Sequence, residues 1–326
     1  MKIRLSHGSG GAETRALIES VFLKYFANEF TDLSDSAVLP FSGKKLAYTT
    51  DSYVVSPLFF SGGDIGKIAV TGTVNDLLTT GGRPLYLSAS FIIEENSDTE
   101  TLEKIAKSMR DAADEAGVII VTGDTKVVEG GGGIFITTSG IGEAGEVSIK
   151  NIAAGDIILI NGNLGDHHAC IISSRLGIKN NIKTDAAPLT GMVGDLIKNV
   201  PVRGLRDITR GGLATVLHEL SAASGLRAEI TEELLPISNE VSGLCKMLGL
   251  DPLYMANEGK MLVVVPGENE KKTLSIMKKS AYGENSAVIG RFTESKIKTT
   301  DVVLKTKIGG SRKIAPLIGE GLPRIC

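Results

Sequence analysis

The chain has 326 residues, a formal net charge of -3, 42% hydrophobic residues and 22% charged residues. That is the composition of a globular protein too long for one ordinary core, so two domains are expected. There is no basic excess to hold a nucleic-acid backbone, aromatics are 5% with no Trp to stack on bases, and no run is apolar enough to span a bilayer.

Three cysteines, Cys170, Cys245 and Cys326, form no CxxC and no zinc spacing. Their odd number rules out a closed disulfide set within one chain. With no signal-peptide core at the N-terminus, a reducing cytoplasm is the natural location. Cys170 and Cys245 sit in apolar surroundings and read as small buried hydrophobes.

Ser6-His7-Gly8-Ser9-Gly10-Gly11 leads into a helical pattern over 12–30, carried by Leu17, Val21 and Tyr25. A glycine-rich loop opening a helix offers free backbone N–H groups to an anion. The spacing is neither G-x-G-x-x-G nor a P-loop, and an ordinary flexible lead-in reads the same way. Residues 45–51 read as a strand that delivers Asp51 at its end. Residues 64–80 read as a helix, N-capped by Asp64, closed by Gly81-Gly82 and carrying Thr73, Asn75 and Asp76. Residues 61–68 imitate a P-loop, but the glycine spacing is short and Ile68 replaces the required Ser or Thr.

A strand over 85–94 follows, then an amphipathic helix over 99–116 and a buried strand over 118–122 that ends in Gly123-Asp124-Thr125-Lys126. Residues 130–133 read as a mobile glycine loop before a strand over 134–140. The join between domains is expected at 152–156. Beyond it come a strand over 157–160 and a helix over 167–176. Its pair His167-His168 cannot easily chelate one ion, because adjacent residues do not share a helix face. A helix lies within 185–201. Gly204 to Leu213 then runs strand, polar turn and glycine pair into a helix over 214–224, with Asp207 at the turn. Helices over 237–248 and 270–281 and strands over 260–265, 286–292 and 302–305 complete the pattern. The expected division is 1–150, 151–313 and a terminal segment 314–326. The fold class is α+β, with helices covering one face of each sheet.

Asp35, Asp51, Asp76, Asp124 and Asp207 each lie beside Ser, Thr, Gly or Asn at the edge of an apolar element. Taken one at a time they fit ordinary turn and cap chemistry. Taken together they fit a cation site. Oxygen ligands without His or Cys select a hard ion, Mg²⁺ before Zn²⁺, and Mg²⁺ takes its remaining ligands from water and phosphate. Lys126 can face phosphate as a point charge or be a solvated loop lysine. Glu258 can be a general base or a turn acid. Arg206 and Arg210 can meet phosphate or pair with Asp207. The chain ends Gly-Glu-Gly-Leu-Pro-Arg-Ile-Cys, whose glycines and proline oppose regular structure and leave Cys326 tethered on one side only.

These motifs resemble the HypE family of hydrogenase-maturation carbamoyl dehydratases, within the superfamily of aminoimidazole ribonucleotide synthetase (PurM) and selenophosphate synthetase. The resemblance rests on Ser6 to Gly11, Thr49-Thr50-Asp51, Val74-Asn75-Asp76-Leu77, Gly123 to Lys126, Arg206 to Leu213, Asn257-Glu258-Gly259 and the terminal Pro323-Arg324-Ile325-Cys326. It covers essentially the whole chain. It implies a homodimer whose N-terminal domains pair into a β-barrel, with ATP near that interface. Mg²⁺ would be held by Asp35, Asp51, Asp76 and Asp207. The nucleotide would be met by Gly8, Ser9, Gly10, Gly11, Thr73, Asn75 and Asp124, with Lys126 at the phosphates. Cys326 would carry a carbamoyl group delivered by the carbamoyltransferase HypF. Dehydration would turn the S-carboxamide into an S-cyanide, with Glu258 as base and His7 as a second candidate, and the cyanide would pass to a HypC–HypD complex for the iron of a [NiFe] hydrogenase. The alternative is a superfamily synthetase that uses ATP on a free small molecule and leaves the terminal cysteine idle.

Overall fold

The computed structural model describes residues 2–9, 12–31, 36–294 and 301–317. Asp35, Gly10, Gly11 and Cys326 therefore lie outside the described residues.

The N-terminal helix is broken in its middle. α1 (Ala12–Leu17) and α2 (Leu23–Phe26) are joined by a π-helical turn over Ile18–Phe22. β1 (Leu46–Tyr53) enters the first sheet, and a short hairpin, β2 (Phe59–Phe60) and β3 (Gly63–Asp64), leads to α3 (Ile65–Leu78). Asp64 caps α3 as expected, its Oδ1 accepting from the Gly66 and Lys67 amides at 2.7 and 3.0 Å. β4 (Arg83–Glu94), α4 (Thr99–Ala116), β5 (Ile119–Val128) and β6 (Ile134–Glu143) follow. The sheet order is β1-β6-β4-β5. Only β4 and β5 run parallel, and α4 supplies the crossover that a parallel pair requires. α4 buries Leu102, Ile105, Ala106, Met109, Ala112 and Ala113 at three- and four-residue spacing, then stops at Gly117 in the left-handed region.

Two local expectations change here. The strand expected to end at Thr122 continues through Val128, because the twelve-residue β4 beside it offers partners as far as Glu94. Gly123 to Lys126 is therefore strand rather than turn. The glycine run at 130–133 is fastened: Glu94 Oε2 accepts from the Gly131 and Gly133 amides at 2.9 Å each.

The second sheet begins at β7 (Ile157–Ile160), beyond a 3₁₀ turn over Ile149–Asn151. Its other members are β8 (Gly204–Asp207), β9 (Arg227–Thr231), β10 (Met261–Val265), β11 (Ala287–Thr293), β12 (Val302–Lys305) and β13 (Ser311–Ile314), in the order β13-β12-β9-β11-β7-β10-β8. The intervening helices are α5 (Asp166–Leu176), α6 (Thr190–Asn199), α7 (Gly212–Ser224), α8 (Asn239–Leu248) and α9 (Glu270–Lys279).

Coverage of one face holds for the first sheet only. In β7 and β10 every residue is buried. Met261, Val263 and Val265 join a core containing Met192, Val193 and Met277 of α6 and α9. Leu262 and Val264 join another containing Leu213, Val216 and Leu217 of α7. An unbroken apolar run is the signature of a strand covered on both sides. The first sheet instead leaves one face open, with Tyr48 64% and Ile92 46% exposed. Among the described residues no helix is long and apolar enough to cross a membrane. Cys170 and Cys245 are free and buried, as expected.

Candidate active site

Acidic groups from four places meet where β1, α3, β8 and the loop before β10 come together. β1 delivers Asp51, β8 ends on Asp207, and Glu258 stands three residues before β10. α3 delivers Asp76. That helix is interior on nearly every side: only Lys67 and Asp76 escape burial along its 14 residues. Asp76 Oδ2 accepts from Thr49 Oγ1 at 2.9 Å, which ties the helix carboxylate to the strand that bears Asp51.

These carboxyls act on one another electrostatically. Asp51 is pushed up to about 7, first by burial and then by Asp76, with Asp207 adding and Arg210 opposing. Asp207 is pushed up to about 6 by burial and then Asp76, with Arg206 opposing. Burial, followed by Asp185, Asp207 and Asp51, holds Glu258 well above the usual carboxylate range. Such crowding disfavours the ionised forms unless a cation offsets it. The donors are all carboxylate oxygens, which suits a hard divalent ion. Among the described residues no three His, Cys, Asp or Glu side chains close into a ligand shell. Arg206 is engaged elsewhere, its Nη2 lying 2.9 Å from Glu219 Oε2 on α7, so it does not pair with Asp207.

Asp124 and Lys126 lie elsewhere. They flank the buried Thr125 on β5, at the far edge of the sheet from β1. The register runs from Ser52 through Thr137 and Ser90 to Asp124. Three strand spacings separate the two edges by about 14 Å. The N-terminal loop packs on the β5 side. A Cβ at Gly8 would stand 2.5 Å from the Val127 amide nitrogen, so only glycine lets the loop lie this close. His7 is buried, its Nδ1 accepting from the Arg4 amide at 2.9 Å, and the Ser9 hydroxyl donates to the Ser6 carbonyl at 2.8 Å.

Thr73 and Asn75 occupy a different place from these groups. Both are interior. Thr73 Oγ1 is 2.6 Å from Thr138 Oγ1. Asn75 Nδ2 donates to the Ala187 carbonyl at 3.0 Å, and Asn75 Oδ1 accepts from the Leu189 amide at 3.0 Å. The Asn75 amide is thus spent on fastening the second domain to α3. His167 and His168 are buried too, and His167 Nδ1 meets Thr184 Oγ1 at 2.7 Å.

One feature was not read from sequence. A cavity of about 260 Å³ lies beside β5, lined by Phe22, Phe26, Phe30 and Phe91 and by residues 123–125. The four-residue spacing of Phe22, Phe26 and Phe30 was the available signal.

Residues 33–144 match the AIR synthase related protein N-terminal domain, and residues 153–303 match the C-terminal domain of the same family. Over its whole length the chain is 45% identical to the carbamoyl dehydratase HypE of Rhodobacter capsulatus, of which it covers 98%. The chain belongs to the HypE family. A solved structure of the hydrogenase maturation protein HypE in complex with ATP is 43% identical and superposes with a TM-score of 0.95 over 99% of each chain. A HypE chain from a HypE–HypF complex is 47% identical, with a TM-score of 0.80 over 93% of this chain and 100% of that one. The two-domain α+β architecture is thus the PurM-like fold of HypE, and the acidic cluster draws on residues of both family domains.

Proposed function

We propose that this protein uses ATP to dehydrate a carbamoyl group carried on its own Cys326, supplying cyanide ligands for the iron of a [NiFe] hydrogenase. The convergence of Asp51, Asp76, Asp207 and Glu258 in one cluster, in a chain that matches HypE from end to end, carries the reading. HypF loads the thiol. The S-carboxamide oxygen attacks the γ-phosphate of ATP and ADP leaves. The phosphorylated C–O bond then breaks as the two N–H protons are lost, phosphate departs with the former amide oxygen, and S–C≡N remains. Phosphorylation is needed because an amide oxygen is otherwise a poor leaving group. The cyanide then passes to HypC–HypD.

Glu258 takes an N–H proton, with His7 as a second candidate. Lys126 and Asp124 attend the phosphates, the loop over 6–11 closes beside them, and the aromatic cavity next to β5 accepts the flat adenine ring. Asp51, Asp76 and Asp207, with Asp35, would hold Mg²⁺, which supplies charge neutralisation at the transferring phosphoryl. The cysteine itself is the carrier, so tethering makes the attack effectively intramolecular.

The same geometry supports a homodimer. Asp51 and Lys126 lie on opposite edges of one four-stranded sheet whose outer face is uncovered. If two such sheets close into a barrel, the β1 edge of one subunit meets the β5 edge of the other, and each site draws on both chains. The reading places the protein in the cytoplasm, where Cys326 stays reduced.

Intact-mass analysis tests the proposal. With ATP and the carbamoyl donor system the chain should gain one carbamoyl mass on Cys326 and then lose one water. Truncation of 323–326 should abolish both events. Turnover of a free small molecule by the truncated chain would favour the synthetase alternative instead.

A further inference from the structure

We propose that the buried ion pair Asp185–Lys260 is a positioning device that sets Glu258 for proton removal, an inference that rests on Glu258 being the base. Lys260 Nζ lies 2.9 Å from Asp185 Oδ2, with the two side chains 7% and 4% exposed. The other Asp185 oxygen, Oδ1, accepts from the Glu258 amide at 3.1 Å. One carboxylate thus holds the Glu258 backbone and the ammonium two residues beyond it.

The same peptide is gripped from its other sides. The Glu258 carbonyl accepts from Asn75 Nδ2 at 3.4 Å, and the Gly259 carbonyl accepts from Asn161 Nδ2 at 3.0 Å. A Cβ at Gly259 would stand 2.0 Å from the Asp185 carbonyl oxygen, so the two backbones lie directly on one another. The Asp185 segment is itself fixed to the first domain, through the Thr184 amide to the Ser61 carbonyl at 2.8 Å and through Leu189 to Asn75. Glu258 is therefore held relative to both domains at once, and with them to the strands and helix that bear Asp51, Asp76 and Asp207.

Stability alone does not account for such a pair. Desolvating two charges offsets most of their attraction, and apolar residues of similar volume serve a core as well or better. What the ion pair adds is geometry, with one oxygen of the carboxylate on the Glu258 amide and the other on the ammonium two residues beyond it. In that role Asp185 and Lys260 act through Glu258 and touch no reacting atom.

A double-mutant cycle on the full-length carbamoylated protein tests this, read as single-turnover loss of water with ATP. Asp185→Asn should slow dehydration by about a hundredfold, because a misplaced base loses most of its advantage, while leaving the KM for ATP within about twofold. In a Glu258→Gln background the same substitution should cost less than about twofold, since no base is left to position. Equal losses in the two backgrounds, or an unchanged rate for Asp185→Asn, overturn the proposal. Full activity of Glu258→Gln overturns it as well, by removing the base. No dehydration by the unmodified chain would instead refute the proposed function. Should Asp185→Asn fail to fold, the pair Asp185→Asn with Lys260→Met leaves no lone buried charge. Recovery of stability without recovery of rate supports positioning, and recovery of both overturns it.

Discussion

Mixing two inactive variants should restore activity. Asp51→Asn removes an oxygen donor at the β1 edge, and Lys126→Ala removes the phosphate-facing ammonium at the β5 edge. The register sets these edges about 14 Å apart within one chain, too far for one phosphoryl group to contact both. Each variant alone should be inactive, because every site in the proposed homodimer then lacks one partner. After equal mixing and subunit exchange, half of the dimers are hybrids. Each hybrid has one seam with both residues intact and one with neither, so the mixture should reach about a quarter of the unmodified rate. Single-turnover loss of water from the carbamoylated chain reads the activity, and native mass spectrometry confirms that hybrids formed. Hybrids without activity would place Asp51 and Lys126 in the same subunit's site and refute the reasoning.

Three further outcomes follow. Without divalent ions, Asp51→Asn should stabilise the folded protein above neutral pH. The folded carboxyl at about 7 still holds a proton that the unfolded chain has released near 4, so the unmodified protein loses stability as pH rises through that window and stays lower above it. A fully buried group would cost about 4 kcal/mol, and solvent screening of a half-buried one reduces this to about 1–2 kcal/mol. Melting temperature against pH for both proteins checks it, and parallel curves would contradict the assignment. Asn75→Ala should destabilise the chain by about 2–4 kcal/mol in urea unfolding, because it leaves the Leu189 amide and the Ala187 carbonyl unpaired in the interior. Replacing Cys326 by Ser should leave the affinity for ATP within about twofold in titration calorimetry while abolishing turnover, since tethering rather than nucleotide contact is its role.

Local chemistry was the readable part of this fold. The Asp64 cap, the periodicity of α4 and the glycine stop at 117 each act over a few residues, and each places its element to within about two positions. Asp51 stands on a strand as expected, two residues short of its end, whereas Asp207, expected at the turn, is the last residue of β8. Their meeting with Asp76 is a property of the packed molecule, and only their common setting beside Ser, Thr, Gly or Asn at the edge of apolar elements hinted at it.

What escaped the sequence depends on distant partners. Gly123 to Lys126 carries turn-favouring residues, yet β4 templates it into strand and thereby moves Asp124 and Lys126 to a sheet edge. Asn75 shares a polar motif with Asp76, and one step along a helix turns one side chain toward the acidic cluster and the other toward residues 187 and 189. Asp185 fell inside a segment read as containing a helix. It lies in extended chain before α6, where its partners Glu258 and Lys260 are more than seventy residues away.

The core that spans the join has an evolutionary and an engineering consequence. Ile65, Ile68, Val70 and Val74 of α3 pack in the same cluster as Ile157, Leu159, Met192 and Val263 of the second sheet and its helices. The two family domains therefore share one interior and should melt in a single transition. They cannot be traded independently between relatives without carrying their facing side chains with them. Nor does such a seam leave room for the hinge opening by which many two-domain enzymes admit a nucleotide. The acidic cluster is thus assembled during folding, by the same packing that joins the two domains.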